Sequence, residues 1–275
     1  MLFLFSCATL SFLELDDFVI FADVSAVTPE WYPLSAGVDY LHGRIEKTPL
    51  EFWALRVDLS APGMQIVVKG GGGAGKNTMS AKVSSFVRDN DLIAGINAVP
   101  FDVSTAEEGR PIKNVGIVIS GGELIAPANP NYDALVICGA EAAIVRQAEI
   151  KSIENIDNAV GGFHQILKAG EPASRTLNRE DRHPRSAAGV SSDGKCLYLL
   201  VIDGRRRDSA GGTENETAVL LRSLGSWDGI NLDGGGSSAL ALRYPDGKIR
   251  AVNNPVHGGI PGTERAVAGC LGINQ

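Results

Sequence analysis

The sequence predicts a single α+β domain, rich in strands and poor in helices, and three observations carry that prediction. Glycine is abundant, at 33 of 275 residues, while aromatic residues make up 6%, a balance that favours strands and turns over a helical bundle. Short apolar runs with strand character recur along the chain between glycine turns, and only two segments carry a convincing helical period. Those two segments lie far apart, so strands do not alternate with helices and a doubly wound parallel sheet is disfavoured. Apolar residues at 44% and charged residues at 21% supply a sizeable core and exclude global disorder. No linker rich in proline or charge and no internal repeat divides the chain. Residues 36–275 therefore read as the domain and residues 1–35 as an N-terminal segment.

The N-terminal run Met1 to Cys7 is apolar but too short to span a bilayer. It reads as the remnant of a secretory signal. Leu4-Phe5-Ser6-Cys7 resembles the end of a bacterial lipoprotein signal, with Cys7 the candidate lipid anchor, although the positively charged n-region is missing. The expectation is export to the periplasm or cell surface. Residues 11–40 look irregular, broken by Pro29 and Pro33. Leu50 to Leu59 alternates in the strand manner, and Met64 to Val68 follows a Pro-Gly turn, which predicts a hairpin. Thr78 to Asn90 predicts a helix with Met79, Val83, Phe86 and Val87 on one face, and Asp91 to Asn97 a buried strand.

Strands are predicted at Gly116 to Ser120, Glu123 to Ile125, Ala134 to Cys138 and Ala142 to Val145. Residues 151–182 give no clear period, and Glu171 to Arg182 reads as a loop. The pattern then sharpens. Ser186 to Val190 and Cys196 to Ile202 are strands joined by a Ser-Asp-Gly turn, and Thr213 to Leu224 is a helix opened by a capping box. Ile230 to Asp233, Ala239 to Tyr244 and Lys248 to Val252 complete the strands, the last two forming a hairpin through Pro245-Asp246-Gly247.

A net charge of −7 gives no footprint for nucleic acid. It leaves room for an anionic substrate, because a local group of arginines overrides the global sign. The four cysteines, Cys7, Cys138, Cys196 and Cys270, have no metal-ligand spacing. Cys138 and Cys196 sit in apolar runs and are expected to be small core residues. No disulfide framework, metal or cofactor is predicted, and the sequence sets no oligomeric state.

Residues 70–78, Gly-Gly-Gly-Gly-Ala-Gly-Lys-Asn-Thr, nearly match the phosphate-binding loop G-x-x-x-x-G-K-[ST]. Asn77 stands where a hydroxyl must meet the magnesium ion. Thr78 comes one residue late, about 100° further round a helix. A glycine-rich surface connection with a solvated Lys76 is the preferred reading, and a nucleotide binder the least favoured of three functional readings.

A second glycine stretch is more informative. Asn231-Leu232-Asp233-Gly234-Gly235-Gly236-Ser237-Ser238 ends an apolar strand on a carboxylate, clears side chains from the backbone, then supplies two hydroxyls. Successive free N–H groups from Gly234 to Ser237 are expected to form an anion nest beside Asp233. Two other strands have charged ends: Arg182-His183-Pro184-Arg185-Ser186 precedes one and Asp203-Gly204-Arg205 follows another. If the three strands are neighbours, two carboxylates and two guanidiniums face one cleft. The planar fork of arginine suits phosphate, and paired carboxylates suit glycosidic cleavage.

These blocks, His183 to Gly189, Val201 to Arg205 and Asn231 to Ser238, occur in the order in which they stand in the phosphodiester glycosidase family, which the chain resembles. Weaker likenesses are Ala94-Gly95-Ile96-Asn97, the helix from Thr213, Val252 to Pro255, and Glu264-Arg265. The resemblance implies an α+β domain that hydrolyses the glycosidic bond of a sugar-1-phosphodiester, such as a glycan or exopolysaccharide component. It casts Asp233 as nucleophile or water-activating base, with Asp203 or Glu216 as second carboxylate. Arg185 and Arg205 would clamp the phosphodiester; Asn97 and Ser238 would bind sugar hydroxyls. His183, Arg265, Asn231, Gly234, Gly235, Gly236 and Ser237 complete the substrate contacts. Two departures stand out. Ala98-Val99-Pro100 replace glycines usual in the family, and Ser186 stands for a usual threonine. A bulkier turn beside the cleft motivates the second reading, a non-catalytic binder of phosphosugar polymers at the cell surface.

Overall fold

The three strands that carry charged ends are neighbours in one sheet. Arg185–Val190 pairs antiparallel with Cys196–Ile202 on one side and with Asp228–Asn231 on the other. The registers Arg185 to Ile202 and Ala187 to Asn231 bring the start of the first strand and the ends of the other two to one end of the sheet. Asp203 and Asp233 therefore leave the sheet at the same end. This is a computed structural model, and it describes residues 18–72, 78–102 and 107–275.

The main sheet has nine strands, with Val38–Ile45 and Leu50–Asp58 beyond Cys196–Ile202, and His164–Lys168 beyond Asp228–Asn231. Both its faces are buried, which is why Cys196–Ile202 reads as a continuous apolar run. Leu197, Leu199 and Val201 face the central core, whereas Tyr198, Leu200 and Ile202 face helix α2 (Glu214–Leu224). Thr213 caps α2 in a full capping box with Glu216, and Gly225 ends it at φ 115°. The helix buries Ala218, Leu220, Leu221 and Leu224. Each leucine is worth about 1.5–3 kcal/mol against the exposed state.

A five-stranded sheet runs in the order Ile249–Ala251, Leu240–Arg243, Ala94–Asn97, Cys270–Asn274, Gln65–Val68. A second five-stranded sheet runs Glu123–Ala126, Val118–Ser120, Asn158–Gly161, Asp133–Cys138, Glu141–Arg146. Side chains from all three sheets, among them Leu55, Leu199, Ile96, Leu240, Leu135 and Val160, meet in one core. The molecule is thus a single α+β domain of mixed and antiparallel sheets.

Several local expectations are corrected. Leu50–Asp58 and Gln65–Val68 are not a hairpin; the turn between them carries the chain from the main sheet to the edge of another, where Gln65–Val68 pairs with Cys270–Asn274. Helix α1 is Val83–Asp89, shorter than Thr78 to Asn90, because Thr78–Met79 pairs as a strand with Pro111–Ile112. Val83, Phe86 and Val87 are buried as the period required. Residues 11–40 and 151–182 hold unpredicted strands: Val19–Phe21, Tyr32–Ser35 and the first part of Val38–Ile45, then Asn158–Gly161, His164–Lys168 and Glu171–Pro172. Cys138 is exposed and Cys196 half-buried, since each stands at the end of its strand, beyond the packed interior; Cys270 is buried.

Candidate functional site around Asp233

Asp233 ends the crossing from the main sheet to its neighbour. Its N–H donates to the Ala98 carbonyl at 2.9 Å, while Leu232 N–H still donates to Ser186 in the main sheet. Asn97 fastens the crossing from beneath. It is fully buried; its Nδ2 donates to the Asp233 carbonyl at 2.6 Å, and its Oδ1 accepts from Ser186 Oγ at 2.7 Å and Ala239 N–H at 3.1 Å. The Asp233 carboxylate interacts with Ser237 and the Gly234 N–H, but its Oδ2 is buried without a hydrogen-bond partner. Burial pushes this carboxyl up to about 6, against the opposing pull of Ser237 and Arg265.

The glycines that follow make room for two guanidiniums. At Gly235, with φ +63°, Arg205 Nη2 lies 3.0 Å from the place a Cβ would take. At Gly236, Arg265 Nη2 would lie 2.5 Å from it. Arg205 is exposed. Arg265 is half-buried, donating from Nε to His257 Nδ1 at 3.0 Å and from Nη1 to Ser237 Oγ at 3.2 Å. Because Nδ1 accepts, the His257 ring is neutral with its proton on Nε2, consistent with burial and Arg265 lowering its pKa. His183 is lowered likewise, by burial and by Arg185 and Arg205. The arrangement is a buried carboxylate of raised basicity beside two cations, a disposition suited to an anionic group near a reacting centre.

A family model described as phosphodiester glycosidase matches residues 90–274. The chain belongs to the phosphodiester glycosidase family. It is 41% identical over 177 residues to the SPbeta prophage-derived uncharacterized protein YomE of Bacillus subtilis (strain 168), covering 58% of this chain. It spans 25% of that relative's length. The fold is similar to the zebrafish N-acetylglucosamine-1-phosphodiester alpha-N-acetylglucosaminidase catalytic domain, auto-inhibited by its pro-peptide. There the TM-score is 0.64 and identity 21%, over 91% of this chain and 89% of that one. A hypothetical protein from Synechocystis matches at TM-score 0.58 and 15% identity, over 90% of this chain and 64% of that one.

Within this member of the phosphodiester glycosidase family, several candidate residues have other occupations. Asp203 is 1% exposed; its oxygens accept from Asn253 Nδ2 at 2.9 Å, Asn254 N–H at 3.0 Å and Arg206 Nη1 at 2.6 Å. Burial still pushes it to about 7, but its carboxylate is enclosed by these partners and holds the Asn253 segment in place. Glu216 accepts a fork from Arg182 at 2.6 and 2.8 Å and the Thr213 N–H at 3.0 Å, so it is a helix cap and ion-pair partner. Arg185 is buried, donating to the carbonyls of Gly212 and Asp181, with Nη1 3.8 Å from Glu214. It braces the start of α2 and has no free fork for phosphate. Asn97, with its amide engaged on three sides, supports the site rather than touching a sugar.

Part of the expected backbone nest is engaged within the protein. Gly235 N–H donates to Pro184, Ser237 N–H to Gly234 and Ser238 N–H to Gly235, at 2.8, 3.2 and 3.3 Å. Arg205 and Arg265 supply attraction for an anion that these engaged N–H groups do not. Ser238 Oγ and Asn231 Oδ1 are buried without partners. Ala98, Val99 and Pro100 are buried, and Val99 packs under Gly269, so the departure from the family pattern lies in the core and not on a cleft wall. His257, Glu214 and Arg206 escaped sequence reasoning. Arg206 sat unranked in the run Arg205-Arg206-Arg207, and His257 in a loop without a motif.

The phosphate-loop reading loses its context. Helix α1 begins at Val83, not at the loop's end, and Thr78 Oγ1 donates to the Gly70 carbonyl at 2.9 Å. Lys76 and Asn77, like Cys7, lie outside the described residues. Surface hollows of about 410 Å³ near Cys138 and Ile156, and about 270 Å³ near Lys69 and Asn90, do not touch Asp233. Among the described residues no group of three or more His, Cys, Asp or Glu is placed to hold a metal, and no helix is long and apolar enough to cross a membrane.

Proposed function

We propose that this protein hydrolyses the glycosidic bond of a sugar-1-phosphodiester, with Asp233 as the reacting carboxylate. The observation that carries the reading is the unpartnered Oδ2 of Asp233 beside Arg265 and Arg205 on the glycine turn. The two guanidiniums hold the phosphodiester and stabilise the charge that gathers on it as the anomeric bond breaks. Asp233, ionised above about pH 6, either attacks the anomeric carbon or takes a proton from the attacking water. Asp203 and Glu216 are engaged elsewhere. Departure therefore relies on the leaving group, since a phosphate monoester leaves without a strong general acid.

The family membership supports this reaction class, and the zebrafish structure supports the fold on which it is placed. The test is turnover of methyl-phosphate diesters of α-glucose and α-N-acetylglucosamine 1-phosphate. Asp233→Asn is expected to abolish sugar release while its circular dichroism stays native. Full turnover in that variant would remove Asp233 from the chemistry. Saturable binding with no turnover of any diester would leave a phosphosugar-binding protein instead. We further place the protein outside the cytoplasm, a reading supported by a structural neighbour from Burkholderia pseudomallei K96243 whose name suggests export. Fractionation of expressing cells tests it.

A further inference from the structure

Arg205 is aimed by its backbone. Its exposed side chain has no hydrogen-bond partner among the described residues, yet its Nη2 stands over Gly235, 3.0 Å from the place a Cβ would take. The main chain at Arg205 is left-handed, at φ +61°. A residue other than glycine keeps that conformation only where its surroundings over-determine it.

The loop around Arg205 is tied to the main sheet at both ends. Asp203 N–H donates to the Glu51 carbonyl at 2.9 Å. Ser209 Oγ donates to the Asp203 carbonyl at 2.8 Å and accepts the Glu51 N–H at 3.0 Å. Glu51 belongs to Leu50–Asp58. Gly204 is pressed into the same corner, since a Cβ there would lie 2.8 Å from Pro184 N and from Gly211 Cα.

Arg206 closes the loop from within. Its side chain is 12% exposed. Nη1 donates to Asp203 Oδ2 at 2.6 Å, Nε and Nη2 form a fork on Asp208, and Nη2 lies 3.5 Å from Glu51 Oε2. The Asp203 to Arg206 bond spans Gly204 and Arg205, so the Arg205 backbone lies inside a ring closed by side chains. Three carboxylates around one planar guanidinium hold it in a single orientation. Glu51 is itself fixed, with His42 Nε2 at 2.9 Å and Arg44 Nη2 at 3.2 Å, and the His42 ring stacks on Trp53 at 4.6 Å.

We propose that Arg206 is a positioning residue: it touches no substrate, and by closing this ring it holds Arg205 in the left-handed conformation that carries its guanidinium over Gly235. The inference rests on the reading of Arg205 as a contact for the phosphodiester. Three consecutive arginines then have three roles. Arg205 meets the anion, Arg206 aims it, and the exposed Arg207 does neither. Asp203 is the less clean residue to alter, because it also holds Asn253 and Asn254, on the segment that leads to His257 and Arg265.

Calorimetric titration of the whole chain with inorganic phosphate, at fixed pH and ionic strength, reads the effect on binding. A crystal structure of Arg206→Gln reads the geometry. Arg205→Gln is expected to weaken phosphate about tenfold, and Arg206→Gln about fivefold or more, with Arg205 gone from its place over Gly235. The double variant stays within about twofold of Arg205→Gln, because Arg206 acts only through its neighbour. Arg206→Lys keeps the charge beside Asp203 without the fork and recovers part of the loss. Arg207→Gln removes the same charge from the same loop and leaves phosphate within about twofold of the parent. Three results would each overturn the positioning role. They are Arg205 still over Gly235 in Arg206→Gln, losses that multiply in the double variant, and an equal loss in Arg207→Gln.

Asp208→Asn serves if Arg206→Gln does not fold. It loosens the fork at a side chain that is 54% exposed, and weakens phosphate about twofold or more in the parent but not in Arg205→Gln. An unchanged affinity there counts against the proposal. Phosphate binding that ignores Arg205→Gln removes Arg205 from the site, and the inference with it. A loss in Arg205→Gln with none in Arg206→Gln defeats the positioning role alone.

Discussion

Arg205 and Gly235 meet with both backbones in the left-handed region, at φ +61° and +63°, and the guanidinium lies where a Gly235 side chain would begin. Only glycine adopts this conformation without strain and leaves that space open. Gly235→Ala is expected to cost about 1–2 kcal/mol in urea unfolding. It also displaces Arg205, raising KM for a sugar-1-phosphodiester about tenfold with kcat less affected. Gly247→Ala is the control: its φ is +77° with no atom within 4 Å of the added carbon. The control should lose similar stability and keep its KM; if both variants shift KM alike, Arg205 is not a substrate contact.

Asp233 is expected to cost stability at neutral pH. In the unfolded chain an aspartate ionises near 3.8, whereas in the fold this one ionises near 6. Its stabilising contribution is therefore full below pH 3.8 and lost as the pH rises through 6. Two units correspond to about 3 kcal/mol as an upper figure. Asp233→Asn should exceed the parent by up to that amount at pH 8, and the advantage should fade by pH 4. Equal unfolding midpoints at both pH values would show a carboxylate that is well solvated.

The pH profile of kcat/KM should rise through an apparent pKa near 6 as Asp233 ionises. Arg265 lowers that value by its charge. Arg265→Gln should move the limb to higher pH, and Arg265→Lys should move it less. A limb that stays in place in Arg265→Gln would assign it to another group.

Glu216 should behave as a cap. Thr213→Ala should destabilise the fold by about 1 kcal/mol, and Glu216→Gln, which loses the Arg182 fork at 2.6 and 2.8 Å, by about as much. Both should keep kcat within about threefold. A hundredfold loss of kcat in a folded Glu216→Gln protein would return this residue to the chemistry.

The difference between what was and was not legible has physical causes. Thr213 to Leu224 and Cys196 to Ile202 were readable because local chemistry fixes them, through a capping box, a helical period and a tight turn. The Asp233 turn announced itself by three glycines, and its placement at one end of the sheet with Arg185 and Asp203 followed from strand ends. What each side chain does there was not legible. Whether Asp203 meets a substrate or Asn253 depends on a partner 50 residues away, and whether Arg185 is free depends on the Gly212 carbonyl. His164–Lys168 was missed because its bulge at Gln165 to Leu167 breaks the two-residue period. The supposed hairpin after Leu50 failed because a Pro-Gly turn bends the chain without specifying which strand it will pair with.

Asn97 joins Ser186, Asp233 and Ala239, across 89, 136 and 142 residues of chain. Its strand lies between Leu240–Arg243 and the final strand, Cys270–Asn274. Such distant pairings close late, because the entropy of long loops must be overcome first. A chain that lacks Cys270–Asn274 therefore has every residue of the Asp233 turn but leaves the strand that carries Asn97 paired on one side alone. The platform beneath Asp233 is complete once Cys270–Asn274 is seated beside Ala94–Asn97.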